Sequence, residues 1–458
     1  MHLTDSELIM SNPNNWQYKV QVLRTSAASI SLAASTIIAL MIVLSTGRLS
    51  KPYRRLIFGL SISDIIQSIG IISSPFAQPP DTLGARWARG SISACEFSGF
   101  LMTSGTALIP MYTFALTLYF LLIVKYKMPV ASFVRKVEWK LHVGIILWNL
   151  IGNSVAVAKD DFNARPTGLC NMTGYPIGCN IAPDVYGECS RGKDSGSDAL
   201  ILVNGPIMVC FAGIIFCLGS LTHHVYILES NLVPEFRGTN NEHRGRCTHT
   251  WTRIKKFLSV TSMNANSNYA DENNGGQMNE LQRQYTIAKE SLTQSSLYVA
   301  SYVASYLFMT VALLLHLSDA SVPLWIVYAL SVFWPLSGFF NILVYTRPKV
   351  RKLSEKYPEF NRFILFLVVI MSGGDSPPSD VMQAAVEQIA RDADNEERSG
   401  DEDSGNDNQA SLDEDGGEDP ETNSIEGDPS ESGSVREGDL GVGMSSELLL
   451  LSSAMAQQ

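Results

Sequence analysis

Charge is what this sequence withholds. Charged residues make up 17% of its 458 residues, and they almost vanish from seven long stretches. These are Val22–Thr46, Leu56–Phe76, Phe97–Val124, Leu141–Ala158, Ala199–Ile227, Leu292–Leu315 and Val322–Tyr345. A helix needs about 20 apolar residues to cross the ~30 Å hydrocarbon core of a bilayer, so each stretch is expected to span a membrane. Helices buried inside a large soluble protein would not account for seven of them.

Other absences narrow the function. There is no Cys/His cluster at metal-ligand spacing, no nucleophile elbow and no phosphate loop, so neither an enzyme nor a cofactor is expected. No nucleic-acid partner is expected either. Val322–Tyr345 contains no Lys, which excludes a retinal Schiff base there. No internal repeat is visible, and a single acid, Asp64, lies deep within a stretch, which is a poor ion path. A transporter or channel-like protein is therefore the rival class and not the first reading. Met1–Gln21 lacks a short apolar core followed by a small-residue cleavage site, so the first helix is expected to act as its own insertion signal.

The charge that is present is unevenly placed. Residues 373–458 hold 23 acids and 3 bases, whereas the residues before them hold 22 acids and 31 bases. The expected organisation is a short outer N-terminus (1–21), a seven-helix domain (22–346) with a long inner loop (230–290), a juxtamembrane helix (347–371) and a disordered acidic tail (372–458). Within the body, Lys and Arg mark the cytoplasmic side. Arg48, Lys51, Arg54 and Arg55 follow the first stretch, Lys125, Lys127, Arg135, Lys136 and Lys140 the third, and Arg347, Lys349, Arg351, Lys352 and Lys356 the seventh. The alternate connections are poorer in bases. The expectation is a multi-pass protein of the cell membrane, N-terminus outside and C-terminus in the cytoplasm.

The cysteines point the same way. Cys95, Cys170, Cys179 and Cys189 all fall on the outer, oxidising side. Four cysteines permit three pairings; the favoured one is Cys95–Cys170, with Cys179–Cys189 closing a short loop at little entropic cost. Asn171-Met172-Thr173 is a glycosylation sequon on that side, with Asn171 as the acceptor. Cys210 and Cys217 read as packing residues, and Cys247 as a free thiol.

Several short motifs resemble a known superfamily. Leu60-Ser61-Ile62-Ser63-Asp64 resembles the second-helix pattern of rhodopsin-like G-protein-coupled receptors. Trp87-Ala88-Arg89-Gly90 is similar to the turn before their third-helix cysteine, where Cys95 stands here. Pro335-Leu336-Ser337-Gly338-Phe339-Phe340-Asn341-Ile342-Leu343-Val344-Tyr345 looks like the seventh-helix ending of the slime-mould cyclic-AMP-receptor-like branch. The basic run Arg347–Leu353 stands where the superfamily has its membrane-parallel eighth helix. The resemblance covers about Val22 to Met371. It departs in having no acid-Arg-Tyr triplet after Leu118 and no Trp-x-Pro between Leu292 and Leu315, which favours the cyclic-AMP-receptor-like branch.

The resemblance implies an all-α, seven-transmembrane bundle with a short interfacial eighth helix. It implies a receptor for an extracellular ligand, coupled to a heterotrimeric G protein. It also implies a polar switch of Asp64, Asn341 and Tyr345, with sodium held at Asp64. Helix 1 supplies Ser26, Ser29, Ser31 and Ser35 in place of the usual Asn. Pro75, Pro110, Pro206 and Pro335 are expected kink sites, and Pro335 beside Trp334 is a candidate hinge. Glu96, Trp325, Tyr328 and Trp334 are placed in the outer half or middle of the bundle, with interface anchoring the stronger reading for Trp325. In the inner loop, Trp251–Leu258 is a short basic amphipathic stretch suited to anionic lipid. Phe360–Met371 is too short to span and reads as part of an interfacial helix.

Overall fold

Six of the apolar stretches fold as single helices and the seventh as two. A computed structural model describes residues 16–45, 47, 49–80, 82, 87–176, 179, 187–236, 275–318, 322–358 and 361–372. The helices are α1 (Trp16–Leu44), α2 (Pro52–Ala77), α3 (Ile92–Val124), α4 (Val130–Ala158), α5 (Ser195–Phe236), α6 (Gly275–Leu317), α7 (Leu324–Phe333), α8 (Ser337–Lys356) and α9 (Arg362–Met371). α1 to α6 are each long and apolar enough to cross a membrane, and α7 with α8 forms a seventh span bent by 48°. The architecture is an all-α bundle, with a two-stranded hairpin between α4 and α5.

Local sequence explains the ends and irregularities. Pro52 opens α2, where a missing N–H costs nothing. The Ser91 hydroxyl caps α3 by accepting from the Ala94 N–H at 3.2 Å. The helices run on through Pro75 and Pro110. α5 takes π geometry over Leu200–Asn204, just before Pro206, which has no N–H to give to the helix. A second π turn, Val134–Glu138, lies near the start of α4.

The bundle packs around α3, which is buried along most of its length. Two glycines set its distance from α2. A Cβ at Gly70 would lie 2.3 Å from the Met102 backbone nitrogen, and one at Gly105 would lie 2.5 Å from that of Gln67. Small residues allow this approach, and van der Waals contact then holds the helices together in an apolar solvent. Side chains such as Ile146, Leu150 and Ile151 on α4, and Val209 and Phe216 on α5, point outward and are exposed, as lipid-facing positions should be.

The hairpin pairs β1 (Phe162–Ala164) with β2 (Cys170–Met172), placing Phe162 opposite Met172 and Ala164 opposite Cys170. Phe162 and Met172 pack with Ala107, Ala156, Ala199, Val203 and Ile207, so the hairpin is part of the core. A disulfide from Cys170 to Cys95 ties it to the first turn of α3, and Cys179–Cys189 closes a second, local loop. This is the favoured pairing. Asn171 lies in β2 and is 1% exposed, its carbonyl accepting from the Met172 N–H at 2.8 Å. A glycan on that side chain would have to displace the strand.

Three boundaries differ from expectation. Helix α5 runs on to Phe236 and α6 begins at Gly275, so the ends of the inner loop 230–290 are helical; Trp251–Leu258 and Cys247 lie outside the described residues. The seventh span is two helices and not one, because the chain breaks at Trp334–Leu336. The juxtamembrane segment 347–371 is also two pieces: α8 continues through Pro348 to Lys356, and α9 follows after a short turn. The described residues from Thr346 to Ser372 belong to a second compact unit, in which Leu365 of α9 is buried against Val350, Leu353, Tyr357 and Val368. The acidic segment 373–458 lies outside the described residues.

The glycine contact yields a direct test. Gly105→Ala forces α2 and α3 apart against backbone atoms that cannot rotate away, and overpacking of this kind costs roughly 1–3 kcal/mol. The purified variant should melt measurably below the wild type, whereas Gly144→Ala, where a Cβ meets nothing within 4 Å, should not.

Candidate functional site

Pro335 determines the shape of the seventh span. It offers no N–H to the turn before it, and the helix stops at Phe333 and restarts at Ser337. The first N–H groups of the new helix then lack intrahelical partners, in a medium with no water to supply them. α1 answers this directly: the Gly338 N–H donates to the Ser31 hydroxyl at 2.9 Å.

α2 supplies the other half. Asp64 is 0% exposed. The Ser337 hydroxyl donates to its Oδ1 at 2.6 Å, and the Asn341 amide donates to its Oδ2 at 2.8 Å. Asn341 in turn accepts from the Ser301 hydroxyl of α6 at 3.3 Å. Both donors to Asp64 lie in the first turns of α8, where the helix carries partial positive charge. An acid in mid-membrane costs about 2.5–3.5 kcal/mol on insertion scales, and here the restarted helix offsets that cost. The cluster joins α1, α2 and α6 to the start of α8.

Asp64 and Asn341 are therefore in direct contact. Tyr345 lies a turn further along α8, buried and within electrostatic range of Tyr53 and Tyr298. There, Gln294 of α6 donates to the Tyr53 hydroxyl at 3.2 Å and to the Val344 carbonyl at 3.1 Å. A sodium ion does not fit this arrangement. Both Asp64 oxygens face donors, and Asn341 presents its NH2 to the carboxylate, not its oxygen. No cluster of three His, Cys, Asp or Glu suited to a metal occurs among the described residues.

Of the aromatic candidates, Trp334 is 1% exposed and sits at the break, whereas Trp325 is 63% exposed, as an interface anchor would be. Glu96 pairs with Arg191, which also reaches Asp160 at 3.1 Å. At the opposite end, where the acid-Arg-Tyr triplet is missing, Arg55 of α2 grips Glu138 of α4 with two bonds of 2.6 and 2.7 Å.

No family model and no curated protein matches the chain. Among solved structures it is similar to squid rhodopsin, at 16% identity over 83% of this chain and 94% of that one, with a TM-score of 0.43. So loose a likeness decides nothing about the site, which stands on its own geometry.

Sequence reading passed over two charged features. Arg24 lies within α1 and is 5% exposed; it sat at the edge of the first apolar stretch and was absorbed into it. A cation inside a span is a functional signal by default. The second feature is outside the spans. Asp161, in the link from α4 to β1, is 0% exposed and lies against Asp198 at the start of α5. Lys159 holds Asp198 through both carboxylate oxygens at 2.8 Å. Burial, and then the neighbouring Asp198 charge, push the Asp161 carboxyl up to about 7. Nothing in the spacing of these residues shows that the fold will bury one of the acids.

The shift has a defined sign. Between about pH 4 and about 7 the folded protein holds a proton on Asp161 that the unfolded chain has released, so stability falls as pH rises through that window. Asp161→Asn keeps the shape and removes the titration. Melting temperature measured from pH 4 to 8 should decline less steeply in the variant, with the two proteins diverging most above pH 7.

Proposed function

We propose that the chain is a seven-helix membrane receptor, with its N-terminus outside and its C-terminus in the cytoplasm, which passes an extracellular signal to a heterotrimeric G protein. The observation that carries this reading is the Asp64–Ser337–Asn341 contact across the broken seventh span. It is a buried polar joint between α2 and a helix that has already parted from its outer half. Such a joint has alternative hydrogen-bonded arrangements, and a ligand that prefers one of them shifts the population. A static structural core would be filled with apolar side chains at less cost. The basic residues between α1 and the first turn of α2, between α3 and the start of α4, and along the last turns of α8 support the orientation, and the disulfide-tied hairpin fits the outer, oxidising face.

The test is a G-protein dissociation reporter in cells that display the chain, screened against small ligands that include cyclic nucleotides. A ligand-dependent signal should appear, and Asn341→Ala or Asp64→Ala should abolish it or reset its basal level while surface display persists. A chain at the surface whose basal and ligand-driven signals are both zero, and unchanged by either substitution, would overturn the reading.

A further inference from the structure

The tip of the hairpin enters the bundle beside a buried cation. The turn Arg165–Leu169 is closed by the Arg165 N–H on the Leu169 carbonyl at 2.9 Å. Gln78, the residue after α2, clamps it by donating to the Arg165 and Leu169 carbonyls at 2.9 and 2.8 Å. Gly168, at the tip, has φ of +78°, and a Cβ there would meet the Gln21 amide at 2.4 Å. Only glycine suits both the conformation and the approach. Against this tip lie Gln21 and Arg24, one turn apart on α1.

Arg24 is poorly matched to what surrounds it. Its guanidinium donates to the Thr167 carbonyl at 3.3 Å and to the Ser331 hydroxyl of α7 at 3.5 Å. Both bonds are long, both acceptors are neutral, and Ser331 already gives its own proton to the Val327 carbonyl at 2.7 Å. Arg24 Nε has no partner among the described residues, and no carboxylate there forms an ion pair with Arg24. Gln21 is 1% exposed with both amide atoms unpartnered, and Gln78 Oε1 is unpartnered as well. Buried charges are normally paired, and buried amides normally bonded. Here a cation and a donor amide converge on a turn that gives them one weak carbonyl.

We infer that Gln21 and Arg24 of α1, with Ser331 of α7 and the hairpin tip, form a receiving site for an oxyanion group, a carboxylate or a phosphate, carried by a small ligand. The guanidinium fork is shaped for two oxygens of one such group. The ligand's oxygens replace the Thr167 carbonyl at Arg24, and the Gln21 NH2 supplies a further donor. Because Arg24 also touches α7, the outer half of the broken span, occupancy would be felt on the outer side of the break. The inference rests on the receptor reading for its purpose but not for the binding itself.

The test uses the full chain in phosphatidylcholine nanodiscs, melted by tryptophan fluorescence in millimolar sodium phosphate, in sodium acetate, and in sodium chloride at equal ionic strength. A ligand bound only by the folded state raises the melting temperature. Wild type should melt higher in phosphate or acetate than in chloride, and which of the two acts separates a phosphate site from a carboxylate site. Arg24→Lys should keep part of the rise. Arg24→Met should lose it and melt higher than wild type in chloride, because an unmatched buried charge has been removed. No anion-specific rise in wild type, or an equal rise in Arg24→Met, overturns the inference. Arg24→Met melting well below wild type in chloride, with no anion response in wild type, assigns Arg24 a structural role alone. No signalling enters this readout, so a failed receptor assay leaves it untouched.

Discussion

Inside a bilayer every backbone hydrogen-bonding group must find a partner within the protein, and the break at Pro335 is where this chain meets that demand most sharply. A continuous helix would need nothing from its neighbours. The broken one requires Ser31 to receive the Gly338 N–H and places Ser337 and Asn341 where a carboxylate is welcome. Ser31 of α1, Asp64 of α2 and Ser301 of α6 all converge on the start of the helix that follows this proline.

Among the buried charged residues of the bundle, Asp64 and Arg24 are opposite in sign and share no hydrogen bond or ion pair. Asp64 is satisfied by neutral donors and a helix terminus; Arg24 has only weak neutral acceptors. Each is bonded to a different half of the broken span, Arg24 to Ser331 of α7 and Asp64 to Ser337 and Asn341 of α8. The same span thus carries one electrostatically settled contact and one unsettled one, on either side of its bend. In a purely structural bundle, apolar packing at both positions would be less costly.

Much of this was legible in the sequence, for physical reasons. Spans declare themselves because a bilayer imposes length and hydropathy together, so the seven stretches could be read without any fold knowledge. The Asp64–Asn341 contact was legible through resemblance: the motifs around both residues are similar to those of a receptor superfamily in which the two positions meet, and an acid within a span is a functional signal by default. The split at Trp334–Leu336 was only half legible: Pro335 announced a bend, but whether a helix kinks or stops depends on who takes up its freed N–H groups. Arg24 was missed because it lay two residues inside an apolar run, where hydropathy averages it away. The Asp161–Asp198 contact was missed because their proximity arises from the hairpin folding back, which no local pattern encodes. The α8 boundary was misjudged because the apolar run ends at Tyr345, whereas the helix continues through Pro348 to Lys356.

The Asp64 contact also has a history within each molecule. Its partner Asn341 lies 277 residues later in the chain. At the usual pace of synthesis, about 5–20 residues per second, Asp64 is made roughly 15–55 s before that partner. For that interval α2 must reside in lipid, or in the insertion machinery, with its carboxyl unanswered by the seventh span. Ser31 and Ser35 of α1 are already present by then. The Ser31 hydroxyl that later receives α8 is thus among the first polar company available to Asp64, and α1 serves the nascent protein as a chaperone before it serves the finished one as a wall.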